Sequence, residues 1–176
     1  MSNFTIIRST ADLRAGDHIS WPTHMASGML RHHAIVVNVL RIHGSRVEVI
    51  HVVAVGGMDL PASARSISCS AYGSGSPGIY WVVEDTLDLD EQVRNGNLHR
   101  YSYASEDCNP PATVIENARS KFGRFDYNTL YNNCEHFARW CKTGNRTSHQ
   151  AFFFAIYMLI LAVVVGVLIY IAQTSE

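Results

Sequence analysis

The run Asn132-Asn133-Cys134-Glu135-His136-Phe137 puts a thiol where a helix is expected to start. Asn133 is a natural N-cap and Gly144 a natural stop, so the spacing predicts a short helix between them. Cys134 then occupies the first helical position, where unpaired backbone N–H groups and the positive end of the helix dipole favour thiolate over thiol. A thiolate is a nucleophile, although a cysteine in a helix is also often a small buried hydrophobe. Positions 134, 137, 138 and 141 share one face, which points Phe137, Ala138 and Cys141 inward. Cys141 lies about 10 Å from Cys134 along a straight helix, beyond disulfide reach.

A nucleophilic thiol needs a proton acceptor and a group to orient it, and the candidates are His32, His33 and His51. His32 and His33 are neighbours, so on a strand they face opposite sides and one is a bystander to any given site. His136, two residues past the thiol, points around the helix from it and reads as structural. No CxxC or HExxH spacing marks a metal site, and no cofactor is expected.

Positioning these side chains requires a hairpin and two helices. Ala34 to Leu40 and Val47 to Val55 are β-branched runs separated by a polar segment with His43, Gly44 and Ser45, the pattern of an antiparallel hairpin. A short strand around Ile19 and Trp21 precedes it, and Ile79 to Val83 forms another. The Gly/Ser/Ala-rich stretch Gly56 to Gly78 reads as a loop or insertion. Val114, Ile115, Ala118 and Phe122 recur at helical spacing after Pro110-Pro111, predicting a helix from about Pro111 to Phe122 stopped by Gly123. Strands followed by helices give an α+β class with an antiparallel sheet.

The 176 residues suffice for one ordinary domain with an appendage. With 14 basic and 15 acidic residues, the net charge of −1 excludes the basic excess of a nucleic-acid binder. Without a basic leader followed by an apolar run, Cys69, Cys108, Cys134 and Cys141 are expected to be reduced. The 22 residues from Ala151 to Ala172 carry no charge, amide or proline. As a helix they would extend roughly 33 Å, about the thickness of a bilayer's hydrocarbon core. Arg139, Lys142, Arg146 and His149 flank this run on one side and only Gln173 to Glu176 on the other, so the domain is expected in the cytosol on a single-pass tail anchor. The expected division is a catalytic domain over 1–146 and an anchor over 151–172.

Arg31-His32-His33-Ala34-Ile35-Val36-Val37, Val49-Ile50-His51 and Asn133-Cys134-Glu135-His136-Phe137 together resemble the lecithin:retinol acyltransferase-like family, including its H-rev-type phospholipid acyltransferases. The resemblance implies a circularly permuted papain-like (NlpC-like) fold, Cys134 as nucleophile, His32 as base and His51 as the residue orienting the His32 ring. It also implies a glycerophospholipid acyl donor, a thioester on Cys134, and an amine, alcohol or water as acceptor at the membrane. Two departures stand out. Ile35 is followed by Val36-Val37-Asn38 instead of an aromatic and a Gly-Asp turn, and the usual proline-rich continuation after His51 is missing. Two other readings share these residues: a permuted papain-like isopeptidase of ubiquitin-like modifiers, which would not need His51, and a membrane-tethered adaptor that has lost turnover.

Overall fold

Alternating β-branched residues on the two long central strands leave both faces of the sheet apolar, so each must be covered. In a computed structural model, which describes residues 3–23, 30–40, 46–55 and 79–174, β1 (Asn3–Ile6), β2 (His18–Pro22), β3 (Arg31–Leu40), β4 (Arg46–Val55), β5 (Ile79–Asp88), β6 (His99–Ser102) and β7 (Gly123–Phe125) form one sheet. Its order is β1-β6-β2-β3-β4-β5-β7, and every pairing among the described residues is antiparallel. Among the described residues four α-helices accompany the sheet: α1 (Asp90–Arg94), α2 (Pro111–Arg119), α3 (Cys134–Thr143) and α4 (His149–Thr174).

Ile35, Ile50, Val52 and Val82 project from one face against Val114 and Ala118 of α2 and Phe137, Ala138 and Cys141 of α3. Burying Phe137 to 3% exposure contributes roughly 2–3 kcal/mol. Ala34, Val36, Val47 and Val49 project from the other face, where Ile7, Leu13, Leu89 and Leu98 cover them. Gly16 ties β2 to the helical layer: at φ 82° it donates its N–H to Val36 O, and a Cβ there would lie 2.8 Å from Pro111 Cα. No L side chain fits that approach.

The predicted hairpin is present, with the expected strand runs extended back to Arg31 and Arg46; its connection, like the Gly56 to Gly78 stretch, lies outside the described residues. Two boundaries differ from expectation. The strand starting at Ile79 runs on to Asp88 because it pairs along all ten residues of β4. The α2 helix ends at Arg119, capped by Ser120, and Gly123 opens β7 at φ 113°. Phe122, 42% exposed, therefore lies outside the helix whose apolar spacing it continued.

Candidate active site

Asn133 starts α3 as its sequence predicts, and its side chain accepts the N–H groups of Glu135 at 3.0 Å and His136 at 3.1 Å. His136 Nδ1 accepts the Asn133 N–H in return at 3.2 Å, which closes a capping box and gives His136 its structural role. At the other end Gly144, at φ 75°, donates to Trp140 O.

Cys134 is 5% exposed, with its thiol pressed against β3. Its Sγ donates to Arg31 O at 3.7 Å, while the amide of His33 donates toward the sulfur. The thiol thus meets the strand on both sides of His32. Backbone groups are open there because, among the described residues, the β3–β4 ladder begins only at Ala34 opposite His51. The helix-start amides do favour the thiolate, but burial outweighs them, helped by the Glu135 carboxylate, and the thiol is pushed up to about 11. The resting group is a neutral thiol, which corrects the expectation of a thiolate.

His32 and His51 come together. His32 Nε2 lies 3.0 Å from His51 Nδ1, with Trp21 against the His32 ring at a centroid distance of 5.0 Å. The register explains the pairing: Ala34 is opposite His51, so His32, two residues earlier on the same face, is its diagonal neighbour. Beyond His51, its Nε2 is 4.0 Å from Asp85 Oδ2. These rings occupy the Ala34 face and α3 packs on the Ile35 face, so thiol and histidine pair approach the open end of the ladder from opposite sides. Burial pushes His32 down to about 4 and His51 well below the usual imidazole range, so both rings are neutral at pH 7.

His33 faces the other way, as strand alternation requires. Its Nδ1 is 2.8 Å from His18 Nε2, and His18 Nδ1 is 2.6 Å from the Tyr103 hydroxyl. Burial lowers His33 to about 3 and His18 well below its ordinary value. An unfolded chain takes up protons near pH 6.5 that these four rings, three of them buried and His32 partly so, refuse in the folded state. Stability is therefore present above about pH 6.5 and is lost as the pH falls toward about 4. The melting temperature is expected to drop between pH 7.5 and pH 4.5; an unchanged melt would contradict neutral buried imidazoles.

Sequence reasoning missed Gln150 and Asp85. Gln150, in the first turn of α4, accepts the Arg31 N–H at 3.1 Å and points its Nε2 at Cys134 Sγ, 3.9 Å away. Glu135 fixes that turn by accepting the Ser148 hydroxyl at 2.7 Å and the Gln150 N–H at 3.0 Å. The apolar helix therefore begins at the thiol. Only the position of Gln150, a lone amide just ahead of an uncharged run, hinted at this. Asp85 had a clearer signal: it is a carboxylate between Val83 and Leu87 on the apolar phase of its strand, and it is 5% exposed.

An antiparallel sheet with a buried thiol at a helix start, a histidine pair on the adjoining hairpin and an apolar helix leading from the thiol defines a mixed α/β domain with one C-terminal apolar helix. The family described as lecithin retinol acyltransferase matches residues 11–147, and the chain belongs to it. Lecithin retinol acyltransferase of Mus musculus is 37% identical over 57 residues, which cover 32% of this chain and 22% of that protein. No solved structure matches the chain. Among its described residues, α4 is the one helix long and apolar enough to cross a membrane.

Proposed function

We propose that this protein is a thiol-dependent acyltransferase and phospholipase acting on glycerophospholipids at a membrane, with Cys134 as nucleophile, His32 as base and His51 as the residue orienting His32. The carrying observation is the position of the Cys134 thiol, held by backbone on both sides of a histidine whose ring is bonded to a second histidine. Residues 1–146 form the catalytic domain in this proposal, with a permuted papain-like topology, and 151–172 anchor it on the cytosolic side.

With thiol and imidazole both neutral at rest, the proton leaves sulfur as the sulfur attacks. His32 takes the S–H proton while Sγ bonds to the ester carbonyl carbon, and the carbonyl electrons move onto oxygen. Proton transfer to a placed base contributes roughly 10²- to 10⁴-fold. The backbone N–H of Cys134 and the Gln150 amide, both directed at the sulfur, are the donors nearest the developing oxyanion. Collapse breaks the ester bond; the lysophospholipid oxygen leaves with the proton from His32, and the acyl group remains on Cys134 as a thioester. An amine, alcohol or water then gives its proton to His32, attacks the thioester and releases the thiol.

α4 supports this scheme physically. A two-chain lipid is concentrated only in a bilayer, and tethering the site there raises its effective concentration. Incubation with a phosphatidylcholine carrying two acyl chains of different mass, with and without phosphatidylethanolamine, tests the proposal. Lysophosphatidylcholine is expected in both cases, with free fatty acid or N-acylated amine revealing the acceptor. No lysolipid in either mixture would refute a phospholipid donor.

A further inference from the structure

We propose that Leu130 and Tyr131 form a second membrane contact, a loop tip that enters the lipid interface beside α4 and turns the thiol end of α3 toward the bilayer; this rests on the membrane reading of α4 given above. The two side chains are 48% and 72% exposed, although both would gain by leaving water. Scattered exposed apolar residues are ordinary on a protein surface, but these two are adjacent and stand on a tip that is held rigid. Asn128 and Asn132 exchange backbone hydrogen bonds at 3.0 and 2.9 Å, and Asn128 Oδ1 accepts the N–H groups of Leu130 at 2.9 Å and Tyr131 at 3.3 Å. At the base of the loop, the Tyr127 ring stacks on Tyr80 with centroids 4.2 Å apart. The backbone thus satisfies its own polar groups and presents the two side chains outward.

The position of the tip selects lipid as its occupant. Asn133 Nδ2 donates both to Thr129 O at 2.8 Å and to Ser148 Oγ at 3.3 Å, so the residue beside Leu130 and the residue before α4 share one amide group. Phe152 and Phe153, the first exposed aromatic side chains of α4, follow Ser148 by only about one helical turn, roughly 6 Å of rise. A bilayer that takes in α4 from these residues therefore has its surface beside the loop. From Tyr127 to Asn133 the loop carries no charge, Asp126 standing at its base, so no charge has to be desolvated for the tip to enter. Tyrosine suits the boundary itself, with its ring in the apolar layer and its hydroxyl wet. α4 alone can tilt and rotate in the bilayer and carry the domain with it. A second contact at the tip removes that freedom, and because Tyr131 lies three residues before Cys134 it fixes which end of α3 faces the lipid.

Full-length protein in phosphatidylcholine vesicles, with a nitroxide on a ketone-bearing amino acid at position 131 so that the native cysteines stay unlabelled, tests the contact. Power saturation is expected to show more collision with dissolved oxygen than with a water-soluble nickel chelate at 131, and the reverse for the same probe at Phe4, which is exposed on the edge strand β1. Leu130→Gln combined with Tyr131→Gln is expected to lower lysolipid release from vesicles roughly tenfold or more, the scale of one leucine side chain lost from an apolar medium. That variant should still sediment with vesicles through α4 and act on dissolved short-chain phosphatidylcholine within about twofold of wild type. Tyr131→Trp, which keeps an interfacial aromatic, is expected to keep the vesicle rate. Water-like saturation at 131, or equally lipid-like saturation at position 4, would overturn the contact, as would a double variant with no loss or with equal losses on vesicles and dissolved lipid. Wild-type protein that failed to sediment with vesicles would refute the anchor instead, and one that sedimented without releasing lysolipid would refute the phospholipid donor while the depth at 131 still decided the contact.

Discussion

Serine in place of Cys134 is expected to lower lysolipid release by on the order of 10³-fold or more while leaving the fold intact. The two side chains are nearly the same shape, and a hydroxyl can donate to Arg31 O as the thiol does, so α3 and its packing on Ile35 have no reason to move. The chemistry has every reason to fail. The thiol is already pushed up to about 11 by burial, and a hydroxyl gives up its proton far less readily to a histidine lowered to about 4. Steady-state release of lysophosphatidylcholine by purified wild-type and variant proteins with matching melting curves is the check. Undiminished turnover would remove Cys134 from the mechanism.

Removing residues 151–176 is expected to release the protein from membranes and to cut activity on bilayer substrate by about 10²-fold or more, the scale of an effective concentration lost with a tether. Activity on short-chain lipids in micelles should fall less than about tenfold, since such substrates need no tether and Gln150 remains in the truncated chain. The side chains of α4 beyond Ala151 are almost all exposed, from Phe152 at 61% to Ile171 at 53%, so the catalytic domain loses little of its own packing. Sedimentation with liposomes and the ratio of bilayer to micelle rates measure the two effects. Equal losses on both substrates would mean that α4 acts mainly by holding Ser148 and Gln150 in place, and through them Glu135 and the thiol.

What was legible in the sequence was local. The Asn133 cap, the Gly144 stop, the inward face of α3 and the apolar α4 each follow from interactions within a few residues, and each is present. The opposite orientations of His32 and His33 follow from strand alternation, and the structure divides them between His51 and His18. Long-range terms were not legible. The short β1 and β6 exist by pairing with each other across nearly a hundred residues, and nothing in Asn3–Ile6 alone announces a strand. The thiol's acidity was misjudged for a similar reason: the amides that stabilise its anion come from its own helix, whereas the burial that opposes them comes from the sheet and α4. Gln150 and Asp85 reach the site through tertiary register, so spacing along the chain alone could not reveal their contacts.

The central claim is that an acyl group passes through the sulfur of Cys134. Brief incubation of the full-length protein with a phosphatidylcholine of defined acyl mass, acid quenching and peptide mass analysis tests it directly. The expected result is an increment equal to that acyl group on the peptide containing Cys134, removed by neutral hydroxylamine as a thioester requires. Lysolipid formation with that peptide unmodified throughout, or with the acyl group on another residue, would contradict it.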